Sequence, residues 1–165
     1  MKVAIPGLIA LLATGLLAGA FMYGFLNVVP TFYEVPVNIH IIYRTRLMSR
    51  NGLTMQFLMG ASIIAPLWYA IVNRYSLLVT GLAILSAILA LTSLLVTRLG
   101  NVPINQLIKT WPPDQPPVNW IAILRTWDKY NLIRVLAAIG SFISFILTIY
   151  LSSLAEKNCC ARISI

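Results

Sequence analysis

The sequence predicts an all-α protein: an integral membrane bundle of four antiparallel helices, with two long loops on one side. Three observations carry this. First, residues 4–26, 55–72, 77–96 and 135–154 hold no charged side chain. A helix rises ~1.5 Å per residue, so about twenty residues cross a hydrocarbon layer of ~30 Å. Second, these runs are continuous in Leu, Ile, Ala and Val and do not alternate with period two. In lipid the backbone must bond within its own segment or within a closed barrel, and a run without alternation fits the helix. Third, 59% of the 165 residues are hydrophobic and 10% are charged, against roughly 25% charged in soluble domains. Little chain is left for a soluble domain, so residues 1–165 read as a single transmembrane unit.

The net charge of +8 and the pI near 9.9 do not point to nucleic acid. The basic residues are scattered through loops and helix ends, the ordinary pattern beside a membrane. The expected partner is membrane lipid, with no nucleic acid.

The first span is predicted over about 4–28. Met1-Lys2, the apolar run and Ala18-Gly19-Ala20 have the outline of a cleaved leader. The run continues through Phe21, Met22, Phe25 and Leu26, which is too long for a leader core, so an uncleaved helix is expected. Gly15, Gly19, Ala20 and Gly24 bring small residues at spacings of four, which let another backbone approach closely in lipid. Gly15, Gly19 and Gly24 are therefore candidate helix-packing residues, either within the bundle or in a homo- or hetero-oligomer. Pro30 disfavours helical geometry at the preceding residue, so the helix is expected to end at Val28-Val29-Pro30.

Residues 31–54, with His40, Arg44, Arg46 and Arg50, are expected to form the first long loop, turning at Asn51-Gly52. The second span, about 55–72, holds Pro66, which should kink it. Only Asn73, Arg74, Tyr75 and Ser76 separate it from the third, about 77–96, so the two form a hairpin. In the next connection Pro103, Pro112, Pro113, Pro116 and Pro117 forbid a regular helix. After Pro117, Trp120, Leu124, Trp127, Asn131 and Arg134 step by four, three, four and three, one helical stripe. An amphipathic interfacial helix is predicted over about 118–134, leading into the fourth span at about 135–154. Adjacent Cys159 and Cys160 are poorly placed to bridge each other, though a pair beside a membrane is a candidate for acylation.

Arg44, Arg46, Arg50, Arg98, Lys109, Arg125 and Lys129, with Arg134 at the border, lie on one side of the spans. Lys2, Arg74, Lys157 and Arg162 lie on the other. The excess of basic residues places the long loops in the cytoplasm and both termini outside.

Little here resembles reaction chemistry. The spans hold no Asp, Glu, Lys, Arg or His, the residues that proton relays and ion-coupled carriers place at membrane depth. The single His40 and the dispersed Glu34, Asp114, Asp128 and Glu156 offer no metal-ligand spacing, so no metal is expected. There is no Gly-rich nucleotide loop and no Ser-His-Asp set. What remains is a polar cluster at one membrane face: Asn101, Asn105 and Gln106 after the third span, and Trp127, Asn131 and Arg134 before the fourth. One reading is a site whose arginine and amides hold the polar edge of an aromatic or quinone-like ligand while the bundle holds its apolar body. The other is structural, with Arg134 reaching lipid phosphates and the asparagines satisfying helix ends.

Val102-Pro103-Ile104-Asn105, followed by Trp120, Trp127 and Asn131-Leu132-Ile133-Arg134, resembles the anthrone-oxygenase-like family of small four-helix membrane proteins. The glycine-rich first helix ending at Pro30 fits the same pattern. The resemblance implies oxidation of an anthrone, quinone or polyketide-like aromatic with no metal or flavin cofactor. A doubly benzylic carbon can lose a proton and its carbanion can meet dioxygen directly. The protein then needs only to bind, deprotonate and stabilise an oxyanion. Carried over to this chain, Asn105, Asn131 and Arg134 would stabilise the oxyanion, and Trp127, with Trp120, would hold the ring. His40, outside the family motif, is the one side chain suited to act as a base near neutral pH. The alternative is a non-catalytic accessory or assembly subunit of a membrane complex, using the glycine face of the first helix.

Overall fold

A computed structural model of the chain describes residues 4–73 and 76–163, leaving out the side chains of residue 4 and of residues 156–163. The regular structure among the described residues is all helical, with no strand. In chain order come α1 (Ala4–Tyr23), a π-helical turn (Gly24–Val28), α2 (Val29–Tyr33), α3 (Val37–Val72), α4 (Leu77–Val96), a second π-helical turn (Thr97–Asn101), α5 (Val102–Ile108) and α6 (Trp120–Ile163). Four helices are long and apolar enough to cross a membrane: Ile5–Tyr33, Val37–Val72, Leu77–Ile108 and Trp120–Ala155. They fit a multi-pass membrane protein. Cys159 and Cys160 fall where side chains are not described.

Every span runs further than the charge-free runs predict, and this corrects several expectations. Residues 37–54 are not a loop but the first half of α3, so residues 34–36 alone connect it to α2. Asn51-Gly52 is interior helix, not a turn, and none of the described residues adopts a positive φ. The buried stripe explains this. Ile41, Arg44, Met59, Ser62 and Pro66 are buried, with Met48 and Met55 half-buried between them. A 3.6-residue period thus passes straight through the polar stretch. The interfacial segment predicted over 118–134 begins at Trp120 and is continuous with the fourth span.

Pro30 and Pro103 do not end their helices. A proline inside a helix lacks a donor and presses its ring on the carbonyl four residues back. Here each follows a π-turn, in which Val29 N–H reaches Gly24 O and Val102 N–H reaches Thr97 O. The widened turn absorbs the proline, and the helix continues as α2 or α5.

The helices form a ring in which α1 packs on α3 and α6, and α4 packs on α3 and α6. Close approach depends on small residues, because lipid offers no hydrophobic drive for association. Between α4 and α6, Ser86 Oγ donates to Ser141 O at 2.9 Å and Ser141 Oγ donates to Ser86 O at 2.8 Å. Ser144 Oγ donates to Leu82 O at 2.9 Å. Ser62 makes the corresponding bond from α3 to Ala13 O of α1 at 3.0 Å. Toward one end of the bundle Leu17, Phe21, Met59, Val135 and Ala138 form a buried cluster. Beyond it, Ile41, Ile108, Trp111 and Leu124 tie the helix extensions together.

The three glycines of the first span face different surroundings. Gly15 lies against the Phe142 ring of α6, where an added Cβ would come within 3.0 Å. At Gly19 and Gly24 a Cβ would meet nothing within 4 Å.

Candidate functional site

A cavity of about 190 Å³ lies at the level where the apolar spans give way to their polar extensions. All four spans supply its wall. Phe21, Gly24, Val28 and Phe32 come from the first, and Arg44, Met48, Met55 and Met59 from α3. Thr97, Val102 and Asn105 come from the third span, and Trp127, Asn131 and Arg134 from α6. Both π-turns border it, consistent with the frequency of such turns at functional sites. The wall is mostly apolar, with Phe, Met and Val its commonest side chains, and no Asp or Glu is part of it. Asn51, Gly52 and Gln56, which also line the cavity, are exposed, so its mouth lies on that side.

Four of the residues singled out from the sequence meet here. Trp127 Nε1 donates to Asn105 Oδ1 at 2.7 Å, and the Trp127 carbonyl accepts from Asn101 Nδ2 at 3.1 Å. Arg134 Nε donates to Asn131 Oδ1 at 2.9 Å. The Arg134 guanidinium lies 4.6 Å from the Phe21 ring centroid and 5.3 Å from that of Trp127. Arg134 thus points into protein, away from headgroups. Gly24 also lines the cavity.

Two of the singled-out residues are elsewhere. His40 is buried but does not line the cavity. Its ring stacks on Phe32 at 5.4 Å and meets Tyr33 and Trp120 edge-on at 5.2 and 5.7 Å. Trp120 serves as that wall and does not reach the cavity either. His40 Nε2 lies 3.2 Å from Arg44 Nη1. Arginine has no acceptor, so Nε2 receives the bond and the His40 proton sits on Nδ1. His40 thus contacts Arg44, which lines the cavity, and is not itself part of the wall.

The residue that sequence reasoning missed is Arg44. Counted among the basic residues of a supposed loop, it is 2% exposed and faces the cavity from α3. Its guanidinium lies 4.2 Å from the Trp127 ring centroid and 5.8 Å from that of Phe32. Asp128 Oδ1 is 3.9 Å from Nη2, and Asp128 Oδ2 accepts from Tyr33 Oη at 2.7 Å. Arg44 Nε and Nη2, and Asn131 Nδ2, are buried and make no hydrogen bond within the protein. Buried donors left in that state are uncommon. The visible signal for Arg44 was its spacing of four from His40, one turn along a helix.

The family model for anthrone oxygenase matches residues 45–144. The chain belongs to the anthrone oxygenase family. The matched stretch carries Asn105, Trp127, Asn131 and Arg134, while His40, Arg44 and the glycines of the first span precede it. Neither the curated proteins nor the solved structures contain a match to this chain. Among the described residues no group of three or more His, Cys, Asp and Glu is placed to hold a metal ion.

Proposed function

We propose that this anthrone oxygenase family member is a membrane-embedded oxygenase that oxidises an anthrone-, quinone- or polyketide-like aromatic at the cavity between its four helices. The observation that carries this reading is the pairing of Arg134 with Asn131 beside the Trp127 ring, in a largely apolar cavity. A flat ring system stacks on Trp127 while the guanidinium and amides meet its oxygen. An apolar cavity of ~150 Å³ admits benzene. A three-ring anthrone has more than twice the heavy atoms of benzene, so in a cavity of about 190 Å³ its outer ring lies in the mouth near Gly24 and Gly52.

The reaction balances without a further reductant. The anthrone methylene carbon loses a proton to water, and the resulting enolate gives its electrons to dioxygen, forming a C–O bond. The resulting peroxide anion takes up a proton and becomes the hydroperoxide. Loss of the remaining C–H proton with cleavage of the O–O bond then releases water and leaves the new carbonyl. One anthrone and one O₂ give one anthraquinone and one water. Arg134 and Asn131 stabilise the enolate oxygen, Asn105 fixes the Trp127 ring, and His40 positions Arg44.

The accessory-subunit alternative would use the glycine face of the first helix. Gly15 lies against Phe142 and Gly24 lines the cavity, leaving Gly19 for a second chain, which favours the catalytic reading. With Arg44 and Arg134 assigned to the cavity, Arg46, Arg50, Arg98, Lys109, Arg125 and Lys129 still outnumber the basic residues at the other end. The cavity end is therefore assigned to the cytoplasm. The test is oxygen uptake by membranes containing the protein when an anthrone is added. Equimolar O₂ and anthraquinone, without hydrogen peroxide, is the expected result. Uptake no faster than in protein-free membranes overturns the reading.

A further inference from the structure

We infer that the cavity is a monoanion site, taking a polycyclic aromatic with one hydroxyl or enol ionised in preference to the neutral molecule. The choice of ring system rests on the oxygenase reading. The preference for one negative charge is set by the lining residues themselves.

Two guanidiniums, Arg44 and Arg134, line the cavity, and no carboxylate does. The nearest acid is Asp128, which lies 3.9 Å from Arg44 and accepts the Tyr33 hydroxyl. Arg44, Arg134 and Asp128 together leave one positive charge without a partner. His40 adds none, because Nε2 accepts from Arg44. From α2 the ionisable neighbour is Tyr33, already bonded to Asp128. Arg46 and Arg50 of α3 and Arg98 of the second π-turn are exposed and do not line the cavity.

The hydrogen-bonding groups point the same way. Among the cavity-lining residues the buried side-chain atoms without a hydrogen-bond partner, Arg44 Nε, Arg44 Nη2 and Asn131 Nδ2, are all donors, whereas the acceptors Asn101 Oδ1 and Asp128 Oδ1 belong to residues that do not line the cavity. The oxygen of Asn131 is taken by Arg134, and that of Asn105 by Trp127. A ligand here meets donors in excess of acceptors. It must bring an acceptor oxygen, and a negative one answers the charge as well. One negative charge matches the imbalance, whereas a dianion would reverse it. Stacking of both guanidiniums near the Trp127 ring holds them in place without neutralising them.

An opposite charge within a few ångströms lowers the ionisation midpoint of an acid by about one to three pH units. The probe is a monohydroxyanthraquinone, whose visible band moves to longer wavelength when the phenol ionises. It would be titrated with the full-length protein in lipid nanodiscs and with empty nanodiscs. The expected midpoint is at least about one pH unit lower in the presence of protein, which corresponds to about tenfold preference for phenolate over phenol. Arg44→Gln and Arg134→Gln should each shrink that shift. Arg44→Gln combined with Asp128→Asn repeats the first test without leaving the half-buried Asp128 carboxylate unpaired. An unshifted or raised midpoint on wild-type protein, or no binding of the probe, overturns the inference. A lowered midpoint without oxygen uptake on anthrones would leave the monoanion site standing and remove the oxygenase. Uptake without a lowered midpoint would do the reverse.

Discussion

Asn131 accepts the Nε proton of Arg134 at 2.9 Å from one turn earlier on α6, and so holds the guanidinium inside the bundle. An arginine at the end of a membrane span ordinarily extends toward lipid phosphates. Here it lies near two aromatic rings and lines a cavity.

The sign of the Asn131 effect is a first prediction. Asn131→Asp would place a carboxylate beside the Arg134 guanidinium, neutralising it and repelling an anionic ligand. Asn131→Ala would only release it. Turnover should therefore fall further in Asn131→Asp than in Asn131→Ala, with protein levels unchanged. An Asp variant as active as wild type would contradict an anion-stabilising role.

A second prediction concerns the mouth. A Cβ at Gly24 or Gly52 meets nothing within 4 Å, and both glycines line the cavity. Gly24→Leu and Gly52→Leu should leave thermal unfolding unchanged while raising KM for a three-ring substrate several-fold. If KM is unmoved in both, the outer ring does not lie there.

The second π-turn gives a stability prediction. A Cβ at Gly100 would come within 2.5 Å of the Tyr130 ring. Gly100→Ala should destabilise the protein by about 1–3 kcal/mol, the usual cost of overpacking. Combining it with Tyr130→Ala should recover part of that loss, and denaturant unfolding in mild detergent measures both. A stable Gly100→Ala would mean that the turn relaxes freely.

The seam between α4 and α6 supplies a fourth. Ser141→Val removes the bond that Ser141 Oγ donates to Ser86 O, worth about 0.6 kcal/mol in membrane proteins, and adds bulk where two backbones approach. The melting temperature should drop with the KM of the remaining folded protein unchanged. A change in KM with no loss of stability would tie this seam to the site.

The four spans were legible in the sequence because the bilayer forbids charge over about twenty residues. Their ends were not, because the same rule says nothing about residues beyond the hydrocarbon. Residues 37–54 look like a loop by charge, yet the stripe through Ile41, Arg44 and Met48 is helical, with a buried arginine where an apolar residue is expected. Pro30 and Pro103 look like terminators, and no simple rule says that a π-turn will absorb them. In both places Leu-x-x-Val-Pro follows an apolar run, as Leu26 to Pro30 and Leu99 to Pro103. The stripe Trp127, Asn131, Arg134 was visible because it lies on one helix. Arg44 was not, because its partners Trp127 and Asp128 lie more than eighty residues along the chain and meet it only when the bundle closes.

The most direct test of the central claim is turnover by Arg134→Lys. Lysine keeps the charge but loses the planar fork that Asn131 orients and that presents several donors to an oxyanion. Removing a preorganised oxyanion donor costs on the order of 100- to 1,000-fold in rate. Membranes with equal amounts of wild type and Arg134→Lys would be compared for oxygen uptake at saturating anthrone. A fall of that order in kcat with normal protein level is the predicted result. A lysine variant within about twofold of wild type would show that Arg134 contributes no more than its charge and would contradict its assigned role.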